Sequence, residues 1–144
     1  MIIEAIKLEP DAILPLYAHD ADAGADIYAY EDATIYPGER HAVRTAIAIN
    51  IPDGYVGFIT PRSGLSANNG VTVLNAPGTV DAQYHGEIKV ILINQDLYQP
   101  YEIKYGDRIA QIVFQKIKSA SFQEVDHFSH ESERGFGGFG STGQ

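Results

Sequence analysis

The chain has 144 residues, of which 44% are hydrophobic, and it contains no cysteine. This length suits one domain with a hydrophobic core, and the missing cysteine excludes disulfides and thiolate metal sites. The net charge of -9 argues against a nucleic-acid surface, although a few arginines in one cleft still allow a small anionic ligand. The first residues include an acid, Glu4, and no long apolar run, so we expect no signal peptide, no membrane span and a soluble, cytoplasmic protein.

Short strand-like segments, separated by glycine and proline, follow one another along the chain. Strands are predicted over residues 2–8, 27–30, 34–36, 41–51, 55–60, 87–94, 101–105 and 108–116. The longest early strand, 41–51, alternates as a half-buried antiparallel strand does. A short helix is predicted over 63–69, with Gly70 closing it. Long helices with a 3.6-residue period are absent, which indicates an all-β barrel or jelly roll.

The aspartates of the segment 20–30 offer a first candidate ligand group. Asp20, Asp22 and Asp26 bracket Gly24, but their spacing does not fit an EF-hand calcium loop. A single carboxylate that faces a hydrated Mg²⁺ fits this pattern better than a complete cage.

The stretch 70–90 predicts a strand, a glycine-bearing turn and a second strand, that is, a hairpin. Its middle part offers backbone polar groups, the carboxylate of Asp81 and the ring of Tyr84 to a flat, polar ligand. A tight hairpin with a capping aspartate is the structural alternative.

Three of the five arginines lie beside glycine and a polar residue: Arg62, Arg108 and Arg134. A guanidinium beside backbone N–H groups is suited to phosphate. Surface ion pairs near turns are the alternative interpretation for each of them.

The composition changes after Ser119. Residues 119–132 are polar and acidic, and His127 and His130 are expected to be exposed linker histidines rather than metal ligands. The last eleven residues, RGFGGFGSTGQ, combine five glycines with arginine, phenylalanine and hydroxyl side chains. Such a flexible segment suits either a lid over a nucleotide or a mobile tail, and composition alone does not separate the two.

Five segments stand out together: AGADIYA (23–29), PRSGLS (61–66), GVTVLNAPGTVDAQYHGE (70–87), GDRIAQIVF (106–114) and RGFGGFGSTG (134–143). In this order they resemble the five motifs of the trimeric deoxyuridine triphosphatase (dUTPase) family. A single one of these segments is a weak signal, but the ordered set is specific and spans most of the chain.

The resemblance implies a jelly-roll homotrimer whose three active sites each draw segments from all three subunits. It implies hydrolysis of dUTP to dUMP and pyrophosphate with Mg²⁺, which limits uracil in DNA and supplies dUMP for thymidylate synthesis. It also implies a jelly-roll catalytic core over residues 1–118 and a flexible C-terminal arm over 119–144 that carries the glycine-rich lid motif.

The same resemblance assigns roles to individual residues. Asp81 matches the carboxylate that activates the attacking water, Tyr84 the ring beneath the deoxyribose, and Asp26 the carboxylate that holds Mg²⁺ through water. Asn75 matches the side chain that helps to recognise uracil. The matching phosphate and arm positions are Arg62, Ser63, Gly64, Gln111, Arg134, Phe139, Gly140, Ser141 and Thr142. Arg108 is left out, because a strand-end ion pair explains it equally well.

Two other functions are weighed against this one. A deoxycytidine triphosphate deaminase shares the fold but lacks this form of the glycine-rich tail. A dUTPase-like regulatory protein that binds a protein partner is the second alternative, and the intact set of matching residues favours an enzyme over it.

Overall fold

The computed structural model describes residues 1–130, Ser132 and Gly135. Strands dominate it, with one short helix, in the order β1 (Glu4–Lys7), β2 (Ala25–Tyr28), β3 (Ala33–Ile35), β4 (Arg40–Arg44), β5 (Ile47–Asn50), β6 (Tyr55–Thr60), α1 (Ser63–Asn69), β7 (Val71–Val73), β8 (Gly78–Val80), β9 (Lys89–Asn94), β10 (Tyr101–Ile103) and β11 (Arg108–Lys116). The predicted all-β class is confirmed. The bounds of β6, α1 and β11 match the predictions, and most other strands are shorter than predicted.

The strands pair in antiparallel fashion in four small sheets. The largest has the order β2-β11-β6-β8, and a three-stranded sheet has the order β4-β9-β7. Two further pairs join β1 to β5 and β10 to β3. Strands that are neighbours in the chain mostly pair with distant ones, as expected for a jelly roll.

The core lies between these sheets and consists mainly of β-branched side chains. Ile27, Ile112, Val90 and Leu92 are almost fully buried, and each comes from one of the two larger sheets. β-branched residues pack well on pleated surfaces, so the alternation in β9 and β11 places them inward. Among the described residues, no helix has the length and apolar composition needed to cross a membrane.

The predicted single strand over 41–51 is wrong in two respects. Thr45 and Ala46 interrupt it, and Ala46 adopts the left-handed region at φ 53°. The chain therefore changes partners there, because β4 pairs with β9 whereas β5 pairs with β1. The strand is also not half-buried. The alternation predicts that Ala46 and Ala48 lie on the solvent-facing side, but both are buried.

The predicted reversal within 70–90 is confirmed, because the strands on either side of it, β7 and β9, pair in antiparallel fashion. The connection between them is not a simple turn, since it contains the short strand β8, which pairs with β6 in the other larger sheet. Local turn signals identify the reversal but do not reveal that the connection adds a strand to another sheet.

Gly70 closes α1 as predicted. It adopts φ 65°, and its N–H donates to the carbonyl of Ser66. A Cβ at this position would lie 2.9 Å from the backbone nitrogen of Asp96. That N–H donates to the buried side-chain oxygen of Asn94, so the loop after β9 has little room to move away.

We expect Gly70→Ala to destabilise the fold by about 2–3 kcal/mol, since the left-handed conformation costs alanine roughly 1 kcal/mol and the overlap with the Asp96 amide adds to it. Gly38→Ala is the matched control. Gly38 has φ 79°, but a Cβ added there would meet no atom within 4 Å, so only the conformational cost of about 1 kcal/mol applies. Urea unfolding at one protein concentration measures both variants, and equal losses would contradict the steric argument.

Candidate active site

A buried carboxylate forms the centre of the first group of candidate residues. Asp26 is only 4% exposed. Its Oδ1 accepts hydrogen bonds from Arg62 Nε at 3.1 Å and Gln111 Nε2 at 3.3 Å, and its Oδ2 accepts one from Arg108 Nη1 at 3.4 Å. These four residues are called the Asp26 cluster below.

The strand register brings the cluster together. Gln111 on β11 lies opposite Asp26 on β2 and also opposite Thr60, the last residue of β6. Arg62 follows two residues later, at the junction of β6 and α1. Gly24 lies beside Gln111, where a Cβ would approach the glutamine Cβ to 3.1 Å. A side chain at position 24 would therefore press on a member of the cluster.

Arg108 belongs to the cluster although the sequence did not show it. Residues three apart on a regular strand face opposite sides, so Arg108 and Gln111 should point away from each other. The register between β11 and β2 shifts between Arg108 and Ala110. The extra residue of this bulge brings Arg108 to the side of Asp26. The sequence left open whether Arg108 forms an ion pair at a strand end or belongs to the candidate site. Arg108 forms this ion pair with Asp26, within the cluster.

The cluster carries two guanidinium groups around one carboxylate, so its outer edges are suited to anions. Arg62 also donates from Nη1 to the carbonyl of Arg108 at 3.1 Å, which fixes its plane. Burial, and next the charge of Asp107, raise the pKa of the nearby Tyr101 hydroxyl above its ordinary value, while Arg62 opposes this. Tyr101 therefore remains protonated near neutral pH.

The cluster fits a metal ion only in one way. Within residues 1–130 no group of three or more His, Cys, Asp or Glu side chains is placed to hold a metal ion. Asp26 is a single buried carboxylate that already accepts hydrogen bonds from three side chains. A Mg²⁺ ion that arrives with a polyphosphate, keeps its waters and meets Asp26 through one of them fits this donor set.

The second group lies in the segment 75–87, where glycines make room for functional side chains. The side chain of Asn75 lies over Gly78, with its amide nitrogen 3.2 Å from where a Cβ would be. The Tyr84 ring folds over Gly86, and its hydroxyl donates to the carbonyl oxygen of Glu87 at 3.0 Å. Both side chains are exposed, and the Tyr84 ring is held by its hydrogen bond.

Asp81 directly follows β8 and is exposed to solvent. The N–H of Tyr84 donates to the carbonyl of Asp81 at 3.1 Å, so a tight turn fixes the two residues relative to each other. The segment thus presents a carboxylate and an aromatic ring from one compact turn.

The two groups lie at opposite corners of the four-stranded sheet. Gln111 of β11 pairs with Asp26 on one side and with Thr60 on the other, so Asp26 lies at the same height in the sheet as the last residue of β6. Asp81 follows Val80, which pairs with Gly57 near the other end of β6. Strand geometry gives about 13 Å along the strands and about 14 Å across them, or roughly 20 Å between the two carboxylates. The two groups are therefore well separated within one subunit.

The remaining candidates are placed as follows. Ser63 and Gly64 open α1 beside Arg62 and are exposed. The candidate residues of the arm lie outside the described residues: Arg134, Phe139, Gly140, Ser141 and Thr142. Residues 119–130 form neither helix nor strand and are exposed.

Comparisons with known proteins identify the family of the chain. A family model described as dUTPase matches residues 10–143. A protein of Thermobifida fusca named deoxyuridine 5'-triphosphate nucleotidohydrolase is 59% identical over 141 residues, which cover 98% of this chain and 78% of the relative.

Solved structures give the same result. A variant of the dUTPase of Staphylococcus bacteriophage 80alpha, determined with dUpNHpp, superposes with a TM-score of 0.93 at 31% identity and covers 99% of both chains. A mutant dUTPase from phage phi11 of S. aureus, whose structure details the coordination of a structural Mg(II) ion, gives a TM-score of 0.83 at 28% identity and covers 90% of this chain and 100% of that one. This chain belongs to the dUTPase family and has its jelly-roll fold.

Proposed function

We propose that this chain hydrolyses dUTP to dUMP and pyrophosphate. The observation that carries the proposal is the family match over residues 10–143, because it includes every described residue of the two candidate groups. The structure is consistent with it: one group offers cations to phosphates, and the other offers a carboxylate beside an aromatic ring.

In the proposed reaction, Asp81 accepts a proton from a water molecule that attacks the α-phosphorus in line. The bond from water oxygen to phosphorus forms as the bond to the bridging oxygen of the pyrophosphate breaks. An exposed carboxylate held by a tight turn acts here mainly by orienting the water. The arginines of the Asp26 cluster offset the charge on the departing pyrophosphate.

Substrate selection is assigned to the segment 75–87. Asn75 and neighbouring backbone groups form hydrogen bonds with uracil, and cytosine is rejected because its donor pattern leaves buried polar groups unpaired. The Tyr84 ring packs beneath the deoxyribose, where a 2′-hydroxyl would collide with it.

The triphosphate is assigned to the Asp26 cluster and the start of α1. Arg62, Ser63, Gly64 and Gln111 contact phosphate oxygens in this proposal, and the bulge adds Arg108 to them. Asp26 orients the arginines. It would also hold a hydrated Mg²⁺ through one of the waters of the ion, which would supply positive charge to the phosphates.

We also propose a homotrimer with shared sites. The separation of roughly 20 Å, estimated from strand geometry, supports a site in which the Asp26 cluster of one subunit meets the segment 75–87 of another. The arm residues Arg134, Phe139, Gly140, Ser141 and Thr142 complete the site from the third subunit, with Phe139 stacked on uracil.

Pyrophosphate release with Mg²⁺ should be measured for dUTP, dCTP, dTTP and UTP in parallel. We expect turnover of dUTP alone, and Asp81→Asn should lower kcat by about 10²–10⁴-fold because the general base is lost. Ammonia release from dCTP would instead support a deaminase. An unchanged rate in Asp81→Asn would exclude Asp81 as the base.

Asp26→Asn should raise the Mg²⁺ concentration needed for half-maximal activity by about 10–100-fold, as expected when a group that binds a metal through water is altered. Titration of activity with Mg²⁺ at fixed dUTP measures this shift. Asp22→Asn is the matched control, because Asp22 lies four residues away, contacts His19 and is exposed. Equal Mg²⁺ dependence of the two variants would contradict the proposed role of Asp26.

Complementation tests whether sites are shared between subunits. Asp81→Asn and Arg62→Ala subunits, co-expressed with different tags, should form mixed trimers that are more active than either variant alone. With random mixing, about one quarter of the sites combine an intact Arg62 with an intact Asp81 from another subunit. Activity no higher than the mean of the two variants would place both residues in one subunit's site.

A further inference from the structure

The carboxylate of Glu87 has no role in the proposed chemistry, yet it is one of the most connected groups of the described chain. It follows Tyr84 by three residues, and its side chain is only 16% exposed. Its Oε1 accepts hydrogen bonds from Arg44 Nε at 3.1 Å and from the Ala46 N–H at 3.0 Å. One acidic side chain therefore joins the segment 75–87 to the junction of β4 and β5.

The junction it binds needs this acceptor. Ala46 is fully buried and adopts φ 53°, so its N–H points away from the regular ladder and has no water to bond. The surroundings add two further contacts, because the Thr45 hydroxyl donates to the carbonyl of Ile88 and the Ile88 N–H donates to the carbonyl of Ile47 at 2.9 Å. The junction and residues 87–88 fix each other.

Arg44 is itself held on several sides. Its guanidinium carbon lies 5.7 Å from the centre of the Tyr30 ring, and its backbone N–H donates to Glu31 Oε1 at 2.8 Å. The cation therefore meets Glu87 in a set geometry rather than as a loose surface pair, which is the condition under which a partly exposed ion pair contributes.

This clamp bears on Tyr84 through the backbone. The Tyr84 hydroxyl donates to the carbonyl oxygen of Glu87 itself, and the ring folds over Gly86 between them. The position of the ring thus depends on the position of the residue whose carboxylate Arg44 and Ala46 hold. We propose that Glu87 is a positioning residue that fixes the Tyr84 ring and thereby sets the discrimination between deoxyribose and ribose.

The physical reason is that the Tyr84 ring can exclude a 2′-hydroxyl only if the ring is held firmly in place. This inference rests on the proposed function, in which the Tyr84 ring lies beneath the sugar. A ribonucleotide can enter if the ring shifts by about the size of a hydroxyl group. Loss of the Glu87 carboxylate leaves the buried Ala46 N–H without its acceptor, and the Arg44 guanidinium keeps only the longer contact with Glu9 at 3.9 Å. The residue that anchors the ring therefore loosens.

The test compares kcat/KM for dUTP and for UTP in the same preparations, with UTP also measured as an inhibitor of dUTP hydrolysis. The ratio of the two values is independent of the fraction of folded enzyme, so a merely structural role would not move it. We expect Glu87→Ala to lower the preference for dUTP by about tenfold, with a smaller change in kcat for dUTP. Glu87→Gln keeps an oxygen that can accept from the Ala46 N–H, so its preference for dUTP should lie between those of Glu87→Ala and the wild type.

Glu102→Gln is the matched control, because Glu102 is an exposed glutamate on β10. It should leave the ratio unchanged. Tyr84→Phe removes the hydroxyl that reaches Glu87, so the double variant with Glu87→Ala should lose less discrimination than the two single losses multiplied.

Independent, multiplying effects would overturn the inference, and so would an unchanged ratio in Glu87→Ala. Should Glu87→Ala fail to fold, Glu87→Gln decides by the same ratio. In each of these cases the proposed dUTP hydrolysis would still stand. A wild-type chain without turnover of dUTP would overturn both the proposed function and the inference.

Discussion

The buried carboxylate of Asp26 is the constraint on which the candidate site depends. A carboxylate that is almost removed from water is tolerated only with charged or hydrogen-bonding partners, and Arg62, Arg108 and Gln111 provide them. To do so, β2, the end of β6 and the start of β11 must meet at one corner of the sheet. The arginines are thereby oriented in advance, which would reduce the ordering that the proposed binding of phosphate requires.

Contacts also orient side chains at the opposite corner of the sheet. Asn75 and Tyr84 are exposed, but each lies over a glycine, and the Tyr84 hydroxyl is anchored on the backbone. In the proposed homotrimer, identical copies would bring the Asp26 cluster of one subunit against the segment 75–87 of another, so that two different surfaces meet as in a heterologous ring.

The sequence predicted well those features that local chemistry determines. The bounds of β6, α1 and β11 follow from Pro61, Gly70 and the glycine turn before Arg108, and each signal lies next to the boundary that it defines. The membership of Asp26, Arg62 and Gln111 in one cluster was not visible as a pattern. The resemblance assigned the three residues to the metal and phosphates of the substrate, but only the register of three strands from distant parts of the chain brings them together in one subunit.

The features that could not be predicted are departures from regular strand geometry. Apolar alternation continues through Ala46, so nothing in the pattern marks the left-handed residue that ends β4, and its stabilising acceptor, Glu87, lies 41 residues away. The bulge that turns Arg108 toward Asp26 also leaves no signal in the sequence, because neither Arg108 nor Ala110 is a residue that such a bulge requires. In both places a distant carboxylate stabilises a local irregularity, and the irregularity aims or anchors a side chain of the candidate site. Irregular backbone and buried charge are therefore parts of one arrangement, and a sequence pattern that treats residues one strand at a time contains neither.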